Sequence, residues 1–201
     1  MKNLSKKQKL ISLVLFVLLL GGFIFVGTRD YQIETKDEHK IFSNEFKIVP
    51  EQNLFVYSNS TEVYNVLKSG SAVIFFGFNK NEFSGYYAKM INEVAQEVGI
   101  KEILYYDFYE DRENRSGTYE SIVLTLENYL QKNDLGVVDL VAPSMVVVKN
   151  GKIFYYDAET SYTAVKLSPE DYWTEYNVGL KKSTLNYIFG EYLEVNNGEQ
   201  N

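Results

Sequence analysis

Ser71-Ala72-Val73-Ile74-Phe75-Phe76-Gly77-Phe78-Asn79-Lys80-Asn81-Glu82-Phe83-Ser84 opens the stretch that decides the fold, and the stretch runs on to Val98. Ala72 to Phe78 is almost continuously apolar, which predicts a strand covered on both faces. After a polar turn, Asn79 with Glu82 three residues on reads as a variant capping box. Phe83, Tyr87, Met90, Ile91, Val94, Ala95 and Val98 then follow at helical spacing. A second stretch, Val141-Ala142-Pro143-Ser144 through Lys149-Asn150-Gly151-Lys152, reads as its partner. There Ser144 to Val148 and Ile153 to Tyr156 flank an Asn-Gly turn, the strongest short hairpin signal.

Around these two stretches the other elements fall into place. Asn53 to Ser58 is a short β-prone run, and Ser60 as N-cap with Val63, Val66 and Leu67 inward makes a helix that Gly70 ends. Ile103 to Phe108 is a second buried strand, and strand, helix, strand predicts a parallel pair with a right-handed crossover. Glu110 to Gly117 reads as a charged loop. From Thr118 a second amphipathic helix carries Tyr119, Ile122, Val123, Leu126 and Leu130 and ends near Asn133-Asp134. A closing helix spans Ser183 to Leu193, with Leu185, Ile188, Phe189 and Tyr192 on one face. No period holds over Thr160 to Lys182.

Composition excludes several chemistries. The 201 residues hold no cysteine and one histidine, His39. Disulfides, thiol nucleophiles and cysteine-ligated metals are therefore absent, and a Ser-His-Asp triad or a multi-histidine site is nearly excluded. Five of the 20 basic residues (Lys2, Lys6, Lys7, Lys9 and Arg29) lie at the start, leaving 15 against 27 acidic ones, a formal −12 after Arg29. A domain so acidic repels nucleic acid and anionic lipid heads, so no nucleic-acid partner is expected.

Leu10 to Val26 is an unbroken run of 17 uncharged residues behind four lysines. As a helix it reaches roughly 26 Å, the short end of what spans a bilayer. Lysines on its N-terminal side favour keeping that end in the cytoplasm. A cleaved signal peptide and an uncleaved signal anchor both remain open. The pattern favours the anchor, because Leu20 and Phe25 stand at the third position back from the candidate cleavage sites. The expected organisation is a basic cytoplasmic tail at 1–9, a single transmembrane anchor at 10–27, a linker at 28–50, one extracytoplasmic domain at 51–195 and a disordered tail at 196–201. His39, in the polar linker, is expected on the surface.

The order β-α-β-α-β-α-β-β-α, with its last two strands a hairpin entered through a proline, resembles the thioredoxin family. Ala142-Pro143-Ser144 and Lys149-Asn150-Gly151-Lys152 resemble that family's cis-proline loop and the turn after it. The match looks closest to bacterial membrane-attached thioredoxin-like proteins, some called bacteriocin transport accessory proteins. Phe76-Gly77, Tyr105-Tyr106-Asp107 through Asn114, and Gly117 to Val123 also look like that branch, so the resemblance covers roughly Asn53 to Glu159. It implies an α/β thioredoxin-like fold, a central mixed sheet flanked by helices, behind one transmembrane helix. It also implies a cis bond at Pro143.

The family's Cys-x-x-Cys would fall on Asn81-Glu82-Phe83-Ser84. Thiol exchange needs an attacking thiolate and a resolving thiol. Asn81 is not nucleophilic and the Ser84 hydroxyl is too weakly acidic to act without a base, so the reading is not an enzyme, with no catalytic residue, metal or cofactor. What the resemblance leaves is a groove for an extended protein or peptide partner, paired by strand addition before the proline. That role falls on Ala142 and Pro143, with Phe78, Asn81, Glu82, Phe83 and Ser84 lining the facing turn.

Three other readings stay open. The groove is vestigial and the turn merely caps a helix; or the domain is a subunit of an envelope assembly. In the assembly case the contact is the acidic surface or the 160–182 segment, with Trp173 beside Tyr172 and Tyr176 either anchoring an interface or covering the end of the core. The third is an enzyme with non-thiol chemistry, for which Asp107, Glu110, Asp111 and Glu113 lack the spacing of a calcium loop and read as a solvated loop.

Overall fold

The computed structural model describes residues 37–132, 136–161, 163 and 166–198. The expected tail at 1–9 and anchor at 10–27 lie outside the described residues. Among the described residues no helix is long and apolar enough to cross a membrane.

Strand β2 (Ala72–Gly77) sits at the middle of a five-stranded mixed sheet ordered β1-β3-β2-β4-β5. Strands β1 (Phe55–Tyr57) and β3 (Ile103–Asp107) run parallel, β3 pairs parallel with β2, and β4 (Ser144–Lys149) and β5 (Lys152–Ala158) complete the sheet antiparallel. The period of two along a strand divides the core. Val73, Phe75, Met145 and Val147 point to one face, and Ile74, Phe76, Val146 and Val148 to the other. Helices α3 (Glu82–Val98) and α7 (Glu175–Gly198) cover the first face, and α2 (Ser60–Ser69) and α5 (Gly117–Leu126) the second. Short helices α4 (Tyr109–Glu113) and α6 (Pro169–Tyr172) complete the set, and a 3₁₀ turn, Glu127–Tyr129, ends α5.

The linker expectation fails over 39–50. Residues 37–45 form a helix, α1, and Phe42, Phe46 and Val49 are buried in the first core layer. Phe42 stacks on Phe55 at 4.0 Å between centroids and meets Tyr105 edge-on at 4.9 Å. Phe42 lies on α1, while Phe46 and Val49 lie in the turn that follows it, and the charges between them hide the apolar spacing i, i+4, i+7. His39 is accordingly half-buried, its Nδ1–H donating to the Phe55 carbonyl at 2.9 Å. The globular unit begins at His39 and not at 51.

Both predicted caps shift. Asn59, not Ser60, caps α2, its Oδ1 accepting from Glu62 N at 3.0 Å while the Glu62 carboxylate accepts from Asn59 N at 3.1 Å. Asn81, not Asn79, caps α3, because Asn81 N donates to Phe78 O at 3.1 Å and holds 78–81 in a turn that delays the helix. The charged loop contains α4. The segment 160–182 contains α6 and the first two turns of α7, where Val178 packs on the core between polar neighbours. Since α7 continues to Gly198, residues 196–198 are helical and not a loose tail.

The hairpin turn is tied to the rest of the sheet. Asn150 and Gly151 both take positive φ, 50° and 71°, and Gly151 N donates to Gly70 O at 2.8 Å. A Cβ at Gly151 would stand 2.3 Å from the Lys68 carbonyl oxygen, so glycine is required there for space as well as for backbone freedom.

Phe42→Ala separates a core helix from a linker. Removing a fully buried aromatic ring costs about 3–5 kcal/mol, so the denaturant midpoint is expected to fall sharply; an unchanged midpoint would return this segment to the linker.

Candidate binding face at the Asn81 turn

Asn81 joins the two stretches that decide the fold. Its Oδ1 accepts from Ser84 N at 3.1 Å, which caps α3, and its Nδ2 donates to the Ala142 carbonyl at 2.9 Å. One side chain thereby ends a turn, starts a helix and fixes a loop 61 residues away. The Ala142–Pro143 peptide is cis, and its far side is held as well: the Pro143 carbonyl accepts from Glu159 N at 3.0 Å, and Ser144 Oγ donates to Val141 O at 2.7 Å.

The sequence-derived candidates divide by exposure. Glu82 is exposed and Asn81 half-buried, whereas Phe78, Phe83, Ser84, Ala142 and Pro143 are buried. Phe78 belongs to the layer under α5 and meets Phe108 and Tyr109 edge-on, each at 5.3 Å. Phe83 belongs to the other layer and meets the Tyr172 ring at 5.7 Å. The two rings therefore point to opposite sides of the sheet and line no common groove. Ser84 Oγ is buried without a hydrogen-bond partner among the described residues.

What the turn presents outward is a cation–aromatic ladder that the sequence reading missed. The Lys80 ammonium lies 3.6 Å over the Tyr109 ring, and the Arg112 guanidinium lies within 5.2–5.6 Å of Phe78, Phe108 and Tyr109. Stacked cations of this kind are worth roughly 0.5–1 kcal/mol each when exposed. Tyr109 and Arg112, spaced three apart as on one helical face, are the signal in the sequence, but the charges from Glu110 on read as a loop.

Behind the turn runs a buried polar network. Tyr87 donates to the Asp157 carboxylate, which Lys181 Nζ meets at 2.7 Å; the same ammonium lies 3.4 Å from Glu159. Glu159 also accepts from Tyr172 OH at 2.6 Å and from Ser161 N at 3.1 Å. Full burial and the Asp157 charge push the Tyr87 phenol well above its ordinary value, and Tyr172 is raised to about 12 by desolvation and its bond to Glu159. Tyr87 and Asp157, 70 residues apart, and Lys181 and Asp157, 24 apart, meet here, and no local pattern marks them.

The acidic stretch at 107–113 is structural in its contacts. Asp107 Oδ1 caps Tyr109 N at 2.9 Å and Asp111 accepts from Tyr106 OH at 2.6 Å. Among the described residues no three His, Cys, Asp or Glu side chains gather to hold a metal ion. Trp173 is buried and packs edge-on against Tyr172 at 4.9 Å, so it covers the end of the core and anchors no exposed interface. No family model matches the sequence, and no curated protein is significantly similar to it.

Asn81 has two functions that substitution can separate. Asn81→Ala loses both cap and strut and should cost about 1–3 kcal/mol. Asn81→Asp keeps the capping oxygen but sets a carboxylate against the Ala142 carbonyl. In urea unfolding it should be less stable than wild type despite its intact cap; stability at or above wild type would show that the strut to Ala142 contributes nothing.

Asp107 gives a pH dependence of defined sign. Partial desolvation holds its carboxyl above the ordinary carboxylate value, with the Glu45 and Glu110 charges adding to the rise and the Tyr109 N–H and Lys80 opposing it. The folded state then binds this proton more tightly than the unfolded chain, so stability falls as pH rises through the window just above 3.8. Asp107→Asn, which keeps the oxygen that caps Tyr109, should be more stable than wild type at pH 7. That advantage should shrink as pH falls to 4, as thermal unfolding at the two pH values will show.

Proposed function

We propose that this chain is a redox-inactive thioredoxin-like domain that binds a protein or peptide partner at the Asn81 turn. Leu10–Val26 would tether it to the cell membrane, with the N-terminus cytoplasmic and the domain on the extracytoplasmic side. The sheet order β1-β3-β2-β4-β5, with two helices on each face and a cis-proline before β4, is compatible with that fold. No metal, cofactor or enzymatic step belongs to this reading.

The observation that carries it is the Asn81 Nδ2 to Ala142 O hydrogen bond. A side chain that the family resemblance sets in the place of an attacking thiol is instead a strut across the two loops. The face is thus held in one shape, which suits recognition: a preorganised surface pays less on binding. Because the Ala142 oxygen already has one donor, side chains and not a new strand would give most of the specificity. Lys80, Glu82 and the Tyr109 ring are the accessible groups for that purpose.

A second reading is favoured by a separate observation. Tyr176, Leu180 and Tyr187 lie at i, i+4 and i+11 on α7 and are 77%, 59% and 67% exposed, an apolar stripe that would suit a subunit contact in an envelope assembly.

A photo-crosslinking side chain placed at Glu82, and separately at Tyr187, in intact cells distinguishes the two. A partner captured from position 82 and lost on Lys80→Glu, with the variant's fold checked by its unfolding midpoint, is the expected result. Capture from 187 alone would transfer the function to α7, and capture from neither would leave the turn as a helix cap only.

A further inference from the structure

Where the corner between α6 and α7 folds against α3, the structure holds a cavity of about 310 Å³. Its wall is the Tyr86 ring, Met90, Trp173 and Val178, and its rim is Lys89, Glu93 and Lys182. The volume is at the lower end of pockets that hold small molecules, and an apolar wall with a few convergent polar groups is their usual chemistry.

Two further observations say what the cavity suits. The first is charge. Lys182 Nζ holds the Glu93 carboxylate at 2.6 Å, while Lys89 lies 4.0 Å from the same group with nearly half of its side chain exposed. Two cations share one carboxylate, so Lys89 is available to a second anion. The second observation is the Trp173 indole. The residue is nine-tenths buried, and its Nε1–H meets no acceptor among the described residues. Buried N–H groups almost always have a partner. The one carboxylate that lines the cavity, Glu93, is engaged by Lys182 at 2.6 Å.

We propose that this cavity binds a small aromatic carboxylate. The ring lies among Tyr86, Met90 and Trp173, where flat apolar and thioether surfaces suit it. The carboxylate pairs with Lys89, and the ring packs against the Trp173 side chain that lines the cavity. The ring selects for an aromatic body and the lysine for an anion, so the matching alcohol is a poor ligand. The site makes no use of the Asn81 turn and stands whether or not that face binds a partner.

Trp173 is the chain's one tryptophan, so its fluorescence reads the cavity directly. Benzoate and phenylacetate, with benzyl alcohol as the uncharged control, are titrated into the purified full chain while Trp173 emission and the indole N–H resonance are followed. A saturable response to a carboxylate, with the indole resonance shifted, is expected. Lys89→Ala should weaken it roughly tenfold, the usual loss of one charge-assisted contact, and benzyl alcohol should bind weaker by a similar factor. Val178→Phe, which fills the cavity, should abolish the response. Should Val178→Phe lose its unfolding transition, Lys89→Ala, a change on a half-exposed side chain, decides alone. No saturable response to either carboxylate, or saturation undiminished in the folded variants, overturns the proposal.

Discussion

The pairing of β2 with β4 is the constraint on which everything else rests. Ala72 opposes Val148 and Phe76 opposes Ser144, antiparallel and in unbroken register. Because side chains alternate, this one register fixes both layers at once: slipping β4 by a residue against β2 would turn Met145 away from Phe75 and into the layer that holds Phe76. The hairpin turn cannot absorb such a slip, since Gly151 is hydrogen-bonded to Gly70 and pressed against the end of α2. The same register brings Ser144 beside Phe76, which is why the loop before β4 arrives next to the turn after β2.

On the α3 side the layer is closed by aromatic stacking at one end and by charge at the other. Phe42 from α1, Phe55, Phe75 and Tyr105 form a continuous stack, with Phe75 on Tyr105 at 5.6 Å. Two tyrosine hydroxyls at its edge, Tyr57 and Tyr105, both donate to the Glu45 carboxylate, so α1 is fixed by a polar contact as well as by burial. At the other end Lys181 fixes α7 against β5. Two carboxylates with an ammonium between them leave a net negative charge in a nearly dry place, which the Tyr87 and Tyr172 hydroxyls offset. A buried pair of this kind adds little net stability but is costly to break, about 3–5 kcal/mol for loss of one partner. Its effect is on position: it dictates where α7 crosses, and hence where Trp173 and Val178 meet α3.

The parts of the fold that were legible are those in which a single local pattern decides. The apolar run at β2, the Asn-Gly turn and the stripe from Phe83 to Val98 each have one physical interpretation. The missed parts are those in which two patterns compete. In 39–50 the buried residues Phe42, Phe46 and Val49 are interleaved with charges, which mask their spacing. In 59–62 three cap-competent residues stand in a row, and only the return bond from Glu62 to Asn59 selects among them. The site was legible as positions and not as contacts. Asn81 and Ala142 were brought together, but neither the strut between them nor the burial of Phe78 and Phe83 in opposite layers follows from spacing. The Lys181 network joins residues on separate elements and leaves no mark in either sequence neighbourhood.

The chemistry of the turn follows from the amide at its centre, and a comparison with a thiol shows why. A thiol at the head of α3 would be a weak hydrogen-bond donor, with reactivity drawn from the helix N-terminus. An amide in that place has no such reactivity, but it can accept from the helix and donate to the opposite loop together, as Asn81 does. The helix dipole, which would activate a thiolate, here only strengthens a cap. Ser84, one turn further in, is buried with its hydroxyl unpartnered and is out of reach of solvent. Asn81 therefore acts in this turn as a fixed point between two loops. What this face offers is the shape held by the strut and the charged and aromatic groups that the turn leaves in water.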